Sequence, residues 1–142
     1  MRGFDSALRQ ILDALGETGH ACRARSHSTA NLASMTNRQV LLARRPDGWV
    51  SAADFRVVDA PLPTPGDGQV LIRNRFLSLD PYMRMRMNDA PSYAPKVEIG
   101  QVMVGGTVGE VVESRSPRLK AGDIVSGLLG WQLYGVEAAE RL

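Results

Sequence analysis

The chain has 142 residues, enough for one domain with a core of its own. Hydrophobic residues make up 44% and charged residues 23%, with 17 basic against 15 acidic side chains, a small and scattered excess that argues against a nucleic-acid groove. A single cysteine, Cys22, excludes a disulfide framework or a cysteine–zinc cluster, and no apolar run reaches the ~20 residues that a membrane span needs.

Phe4, Leu8, Ile11, Leu12 and Leu15 recur at helical spacing, which predicts an amphipathic helix over residues 4–15, opened by Asp5 or Ser6 and closed by Gly16. Because these apolar residues are periodic rather than continuous, they do not form a signal peptide, and a reducing, cytoplasmic setting is expected. Residues 20–34 are polar, small and aperiodic, and read as a loop. His20, Cys22 and His27 are metal-ligating types, but nothing acidic stands beside them to complete a site. A polar linker is the better reading, and no metal is expected.

After Met35 the texture turns to short strands and tight turns. Val40–Ala43 is an apolar run closed by Arg44-Arg45-Pro46-Asp47-Gly48, followed by Phe55–Asp59, a stiff Pro61–Pro65 stretch and a Gly66-Asp67-Gly68 turn. Val70–Leu77 is the clearest strand. Asp80–Met87 reads as a short helix with Asp80 as N-cap and Pro81 at the first helical position, where its missing N–H costs nothing. Residues 88–98 form a loop holding Pro91, Tyr93 and Pro95. Thr107–Glu113 alternates like a half-buried strand, and Asp123–Leu129 and Trp131–Val136 are two more. Many short strands with Gly and Pro turns predict a barrel or sandwich, mainly β.

Three groups of residues have chemical readings beside structural ones. Gly105-Gly106-Thr107-Val108-Gly109 has the look of a phosphate loop, but such a loop must open a helix, and here a strand follows. A tight turn with close backbone approach is the better reading. Tyr82 stands at a strand-to-helix junction and Tyr93 in a Pro-flanked loop. A phenol so placed can donate a proton or hydrogen bond to a carbonyl oxygen, whereas residue type alone favours rings that plug the barrel edge. Arg84 and Arg86 read as a solvated helix face, with a cofactor phosphate as the alternative for one of them. Met83, Met85, Met87 and Met103 read as adaptable core or pocket lining. No histidine or cysteine occurs after Met35, which removes the common nucleophilic triads and any Cys/His zinc site from this part of the chain.

The order of the blocks Met35–Ala43, Asp54-Phe55-Arg56, Pro65–Asn74, Leu77-Ser78-Leu79-Asp80-Pro81-Tyr82-Met83-Arg84, Ser92–Pro95, Gly105–Gly109, Gly122–Val125 and Gly130-Trp131-Gln132 resembles the N-terminal, GroES-like domain of the medium-chain dehydrogenase/reductases. The branch it looks like is zinc-independent and includes curcumin, prostaglandin and alkenal double-bond reductases. The resemblance implies a GroES-like, partly open barrel with few short helices over residues 35–142, incomplete at its C-terminal end. Residues 1–34 match nothing in the family pattern and are expected to be a helical leader outside the domain.

The family reaction implied is NADPH-dependent reduction of the C=C bond of an α,β-unsaturated ketone or aldehyde. The resemblance places Tyr82 and Tyr93 as catalytic carbonyl binders and Asp80, Pro81 and Met83 in the substrate wall. The expected partner is a small-molecule enone or enal, with a homodimer in the full-length context and no nucleic acid or membrane. NADPH is the implied cofactor. Its binding domain is expected beyond Leu142, so the fragment alone is expected to be inactive. The alternative is a non-catalytic interaction module that uses the barrel and the N-terminal helix.

Overall fold

The structure, a computed structural model, describes residues 35–90 and 94–142. The expected helix over 4–15, the 20–34 loop and Tyr93 lie outside the described residues. The fold is mainly β, as expected, in two antiparallel sheets with few and short helices, and the barrel is not closed.

The first sheet pairs β1 (Thr36–Leu42) with β2 (Phe55–Pro61), from Thr36 opposite Pro61 to Leu42 opposite Phe55. A one-turn 3₁₀ helix, Ala52–Asp54, feeds β2. The second sheet contains β3 (Gln69–Leu77), β4 (Thr107–Ser114), β5 (Ile124–Gly127) and β6 (Tyr134–Ala138) in the order β5-β4-β3-β6. β3 sits centrally because its residues 70–72 are buried, as expected of a strand enclosed on both faces. The register of β3 against β4 slips between Asn74 and Phe76, so Arg75 bulges out. Such a bulge bends a strand and re-aims the side chains that follow it. Phe76 emerges 73% exposed. Among the described residues one α-helix, α1 (Tyr82–Arg86), is found, and it follows β3.

β1 joins the two sheets. On its free edge it bonds Val40 N–H to the Trp131 carbonyl at 2.9 Å and Leu42 N–H to the Gln101 carbonyl at 2.9 Å, and its Val40 carbonyl accepts from Met103 N–H at 2.9 Å. Asn37, almost fully buried, donates Nδ2 to the Tyr134 carbonyl at 2.9 Å and accepts Tyr134 N–H at Oδ1 at 2.9 Å. Phe55 and Trp131 stack across the same seam, ring centres 5.3 Å apart.

Two apolar cores result. One gathers Val40, Leu42, Val50, Met83, Met87, Val97, Met103 and Trp131, the other Val70, Ile72, Val111, Val125, Leu129 and Ala139. The expectation that Met83, Met87 and Met103 fill core space is met, whereas Met85 points outward and is exposed.

Candidate functional site

The site region begins where β3 ends. The Arg75 bulge turns the strand so that Phe76, Leu77 and Ser78 form one wall of a cleft of ≈ 590 Å³. Gly106, Thr107 and Val108 at the start of β4 form the floor, and Ser126, Gly127 and Leu128 at the end of β5 form the far wall. Among the described residues no charged side chain lines the cleft, and its rims carry two large exposed apolar side chains, Phe76 and Leu128. The Ser78 N–H donates to the Gly106 carbonyl at 2.8 Å, which pins the β3 exit to the glycine pair.

The glycines here are a matter of space. A β-carbon at Gly105 would stand 2.8 Å from Leu77 Cδ1 and 3.0 Å from Trp131 Nε1. Thr107, Val108 and Gly109 belong to β4 and open no helix. The close-approach half of the expectation holds, but the tight turn does not: Gly105 and Gly106 run without a turn into β4 and neither takes a positive φ, and the segment offers no helix N-terminus for a pyrophosphate.

From the cleft the chain steps to the expected site residues. Ser78 Oγ donates to Asp80 Oδ2 at 2.6 Å. That bond corrects the helix-cap expectation: Pro81 holds the N-cap position, and no side chain caps α1, because the Asp80 carboxylate is turned back to Ser78. The Asp80 backbone carbonyl does accept Met83 N–H at 3.1 Å, so the first turn is closed by backbone alone. Pro81 is exposed at the head of the helix. Tyr82 is half-buried, its ring packed on the first core, and among the described residues no hydrogen bond engages its hydroxyl. Met83 is buried in that core.

The structure thus brings Asp80, Pro81 and Tyr82 together at one helix head, with Met83 beneath. None of the four lines the cleft itself; Ser78 bridges the two. Tyr93 lies outside the described residues. Ser78 escaped the sequence reading, although a serine two residues before an aspartate is a recognisable local pairing.

The arginines of this region correct the expectation of a solvated face. Arg84 donates Nη2 to the Gly48 carbonyl at 2.8 Å and to the Pro46 carbonyl at 3.3 Å. Arg86 donates Nε to the Pro95 carbonyl. Arg45, which sequence reasoning assigned only to a turn, donates Nη1 to the Met87 carbonyl at 2.8 Å and to the Val97 carbonyl at 3.2 Å, and pairs with Glu98. Three cations therefore stitch α1 to the turns on either side of it.

Asp54, buried beside the same turn, is pushed up by burial, yet the Ser51 backbone N–H, the Arg44 guanidinium and the Ser51 hydroxyl outweigh that and hold its carboxyl below the ordinary value. In β6, burial raises the Tyr134 phenol, with Arg73 and Arg75 opposing. Among the described residues no cluster of three or more His, Cys, Asp or Glu side chains forms a metal site, and no helix is long and apolar enough to cross a membrane.

What this arrangement can do is donate a hydrogen bond from a phenol whose hydroxyl has no partner among the described residues and whose ring packs on an apolar core. Comparison with known proteins gives that geometry a context. The NADPH-dependent curcumin reductase of Escherichia coli is 53% identical over 106 residues, covering 75% of this chain and 31% of that protein. The NADP(+)-dependent 2-alkenal reductase of Nicotiana tabacum is 35% identical over 106 residues, covering 72% of this chain and 31% of its own. The crystal structure of CurA from Vibrio vulnificus superposes with a TM-score of 0.73 at 48% identity, over 75% of this chain and 32% of that one; the same protein has also been solved with NADPH. The chain spans about a third of the length of the curated relatives it matches. Residues 38–142 match the family described as the N-terminal domain of oxidoreductase, and the chain belongs to that family.

Proposed function

We propose that residues 35–142 are the substrate-side domain of an NADPH-dependent reductase of the C=C bond in α,β-unsaturated ketones or aldehydes, preceded by a leader over 1–34. The observation that carries the reading is Tyr82: a phenol whose hydroxyl has no hydrogen-bond partner among the described residues, at the head of a clamped helix that Ser78 and Asp80 link to the cleft. The names of the relatives, a curcumin reductase and a 2-alkenal reductase that both use NADP(H), support the substrate class and the cofactor.

The chemistry asks for what Tyr82 has. Addition of hydride to the β carbon of an enone builds negative charge on the carbonyl oxygen, and a donor aimed at that oxygen lowers the barrier. A neutral phenol can donate a hydrogen bond to that oxygen. Tyr82 supplies one such hydrogen bond, and Tyr93 is proposed as the second. Asp80 and Pro81 shape the wall above Tyr82, and Met83 supports it from the core. Bound reduced nicotinamide supplies the hydride. The described residues contain no loop that opens a helix at a pyrophosphate, so they offer no main cradle for the dinucleotide. The chain alone is therefore proposed to be inactive, acting within a cytoplasmic, dimeric reductase.

The test is enone-dependent oxidation of NADPH by two proteins. The first is the 142-residue chain. The second is a chimera in which residues 38–142 replace the segment they match in the E. coli curcumin reductase. The reading expects no turnover from the chain and turnover from the chimera. A well-folded chimera that binds NADPH but reduces no enone would overturn it.

A further inference from the structure

The geometry points to Arg84 and Arg45 as positioning residues for Tyr82, acting through two clamps that run in opposite directions between α1 and the turn at 45–48. The inference rests on the reading of Tyr82 as the donor to the substrate oxygen.

α1 has five residues. A helix that short has no stability of its own, since nucleation alone is unfavourable. No side chain caps its N-terminus. The direction in which it presents Tyr82 must therefore come from tertiary contacts. One set runs from helix to turn: Arg84 Nη2 reaches the carbonyls of Gly48 at 2.8 Å and Pro46 at 3.3 Å, and Arg84 Nε reaches Gly48 again at 3.3 Å. The other runs from turn to helix: Arg45 Nη1 reaches the carbonyl of Met87, the C-cap of α1, at 2.8 Å. Met87 is one of the helix-end carbonyls that no intrahelical N–H can satisfy, so this bond meets a need the helix cannot meet itself.

The shape of the turn fits the clamp. Gly48 takes φ +76°, a left-handed conformation that other residues rarely adopt, and its carbonyl is the main acceptor for Arg84. The rigid fork of a guanidinium can hold two carbonyls at a fixed spacing, which a lysine ammonium cannot. Tyr82 lies two residues before one anchor and five before the other. The two clamps together oppose rotation and sliding of α1, the motions that would re-aim the phenol. Misplacing a catalytic donor by about 1 Å can cost on the order of a hundredfold in rate. The clamps should therefore act on turnover and leave cofactor affinity alone.

Two measurements test this. In the full 142-residue chain carrying ¹³C-labelled tyrosine, the three tyrosine signals are assigned by single substitutions to Phe. Arg84→Met should shift and broaden the Tyr82 signal and leave that of Tyr134 in place, with Arg84→Lys intermediate. In the chimera, Arg84→Met should lower kcat about ten- to a hundredfold with an unchanged KM for NADPH. Arg84→Lys should restore part of the loss, and Arg45→Met should follow the same pattern. If Arg84→Met does not fold, Arg84→Lys and Arg45→Met carry the comparison. An unmoved Tyr82 signal, or a kcat that survives Arg84→Met while Tyr82→Phe abolishes it, would overturn the clamp and leave the donor reading standing. A kcat indifferent to Tyr82→Phe, with the Tyr82 signal still moved by Arg84→Met, would instead remove the donor reading on which the inference rests.

Discussion

A β-carbon placed on Gly109 would stand 2.6 Å from the carbonyl oxygen of Arg73, and equally close to the side chain of Ile72. The two central strands β3 and β4 approach at this point, next to the Arg75 bulge that turns β3 toward the cleft. Gly109→Ala should therefore force backbone apart and cost about 3 kcal/mol. Gly105→Ala meets only the tip of Leu77 and the edge of Trp131, and should cost about 1 kcal/mol. Urea melts of the two variants check the order, and only Gly105→Ala should alter the emission of the buried Trp131.

Asn37 and Tyr134 exchange two hydrogen bonds, side chain to backbone, between β1 and β6. Asn37→Ala leaves a buried N–H and a buried carbonyl without partners, at a cost of about 2 kcal/mol. Asn37→Asp keeps the acceptor but loses the donor, and should be no more stable than the alanine variant. Denaturant midpoints at neutral pH measure both.

These two sites show what the sequence could and could not reveal. The strands around Gly109 were legible, since residues 70–77 and 107–113 carry the apolar pattern of their environment, and the glycine pair reads as close packing because a strand follows it. β1 was legible only from Val40 onward, whereas it begins at Thr36. Its first residues are polar, and Asn37 is buried because of a partner 97 positions away, which no local pattern can announce. The short helix was visible through Asp80-Pro81, but the cap was misread because Ser78 holds the Asp80 carboxylate. The arginines were misread for a related reason. A charged side chain is normally solvated, and the carbonyls that Arg84 and Arg45 hold lie about forty residues off along the chain.

Asp54 should make stability fall in acid. Its folded pKa lies below the ordinary 3.8, so the stabilisation it contributes is present above that value and is lost as pH falls through the lower, folded value. Asp54→Asn should lower the melting temperature at pH 7 and flatten its decline below about pH 4. Equal steepness in both proteins would remove Asp54 from the acid response.

Tyr134 should act at the other end of the scale. Burial raises its pKa above 10, so its contribution is complete below 10 and is lost as pH rises through the raised value. Among the described residues its hydroxyl donates to the Met35 sulfur alone, at 3.7 Å, a weak bond. Tyr134→Phe should therefore change the neutral-pH melting temperature little and delay alkaline unfolding.

The most direct measurement for the account as a whole is the steady-state kinetics of Tyr82→Phe in the chimera, with an enone substrate and NADPH. Removing one oxygen from a half-buried ring leaves its packing in place, so the fold and the KM for NADPH should stay as they were. The account predicts that kcat falls by roughly a hundredfold or more, the scale of a lost proton or hydrogen-bond donor. An unchanged kcat would contradict it and leave Tyr82 as a ring that only packs against the first core.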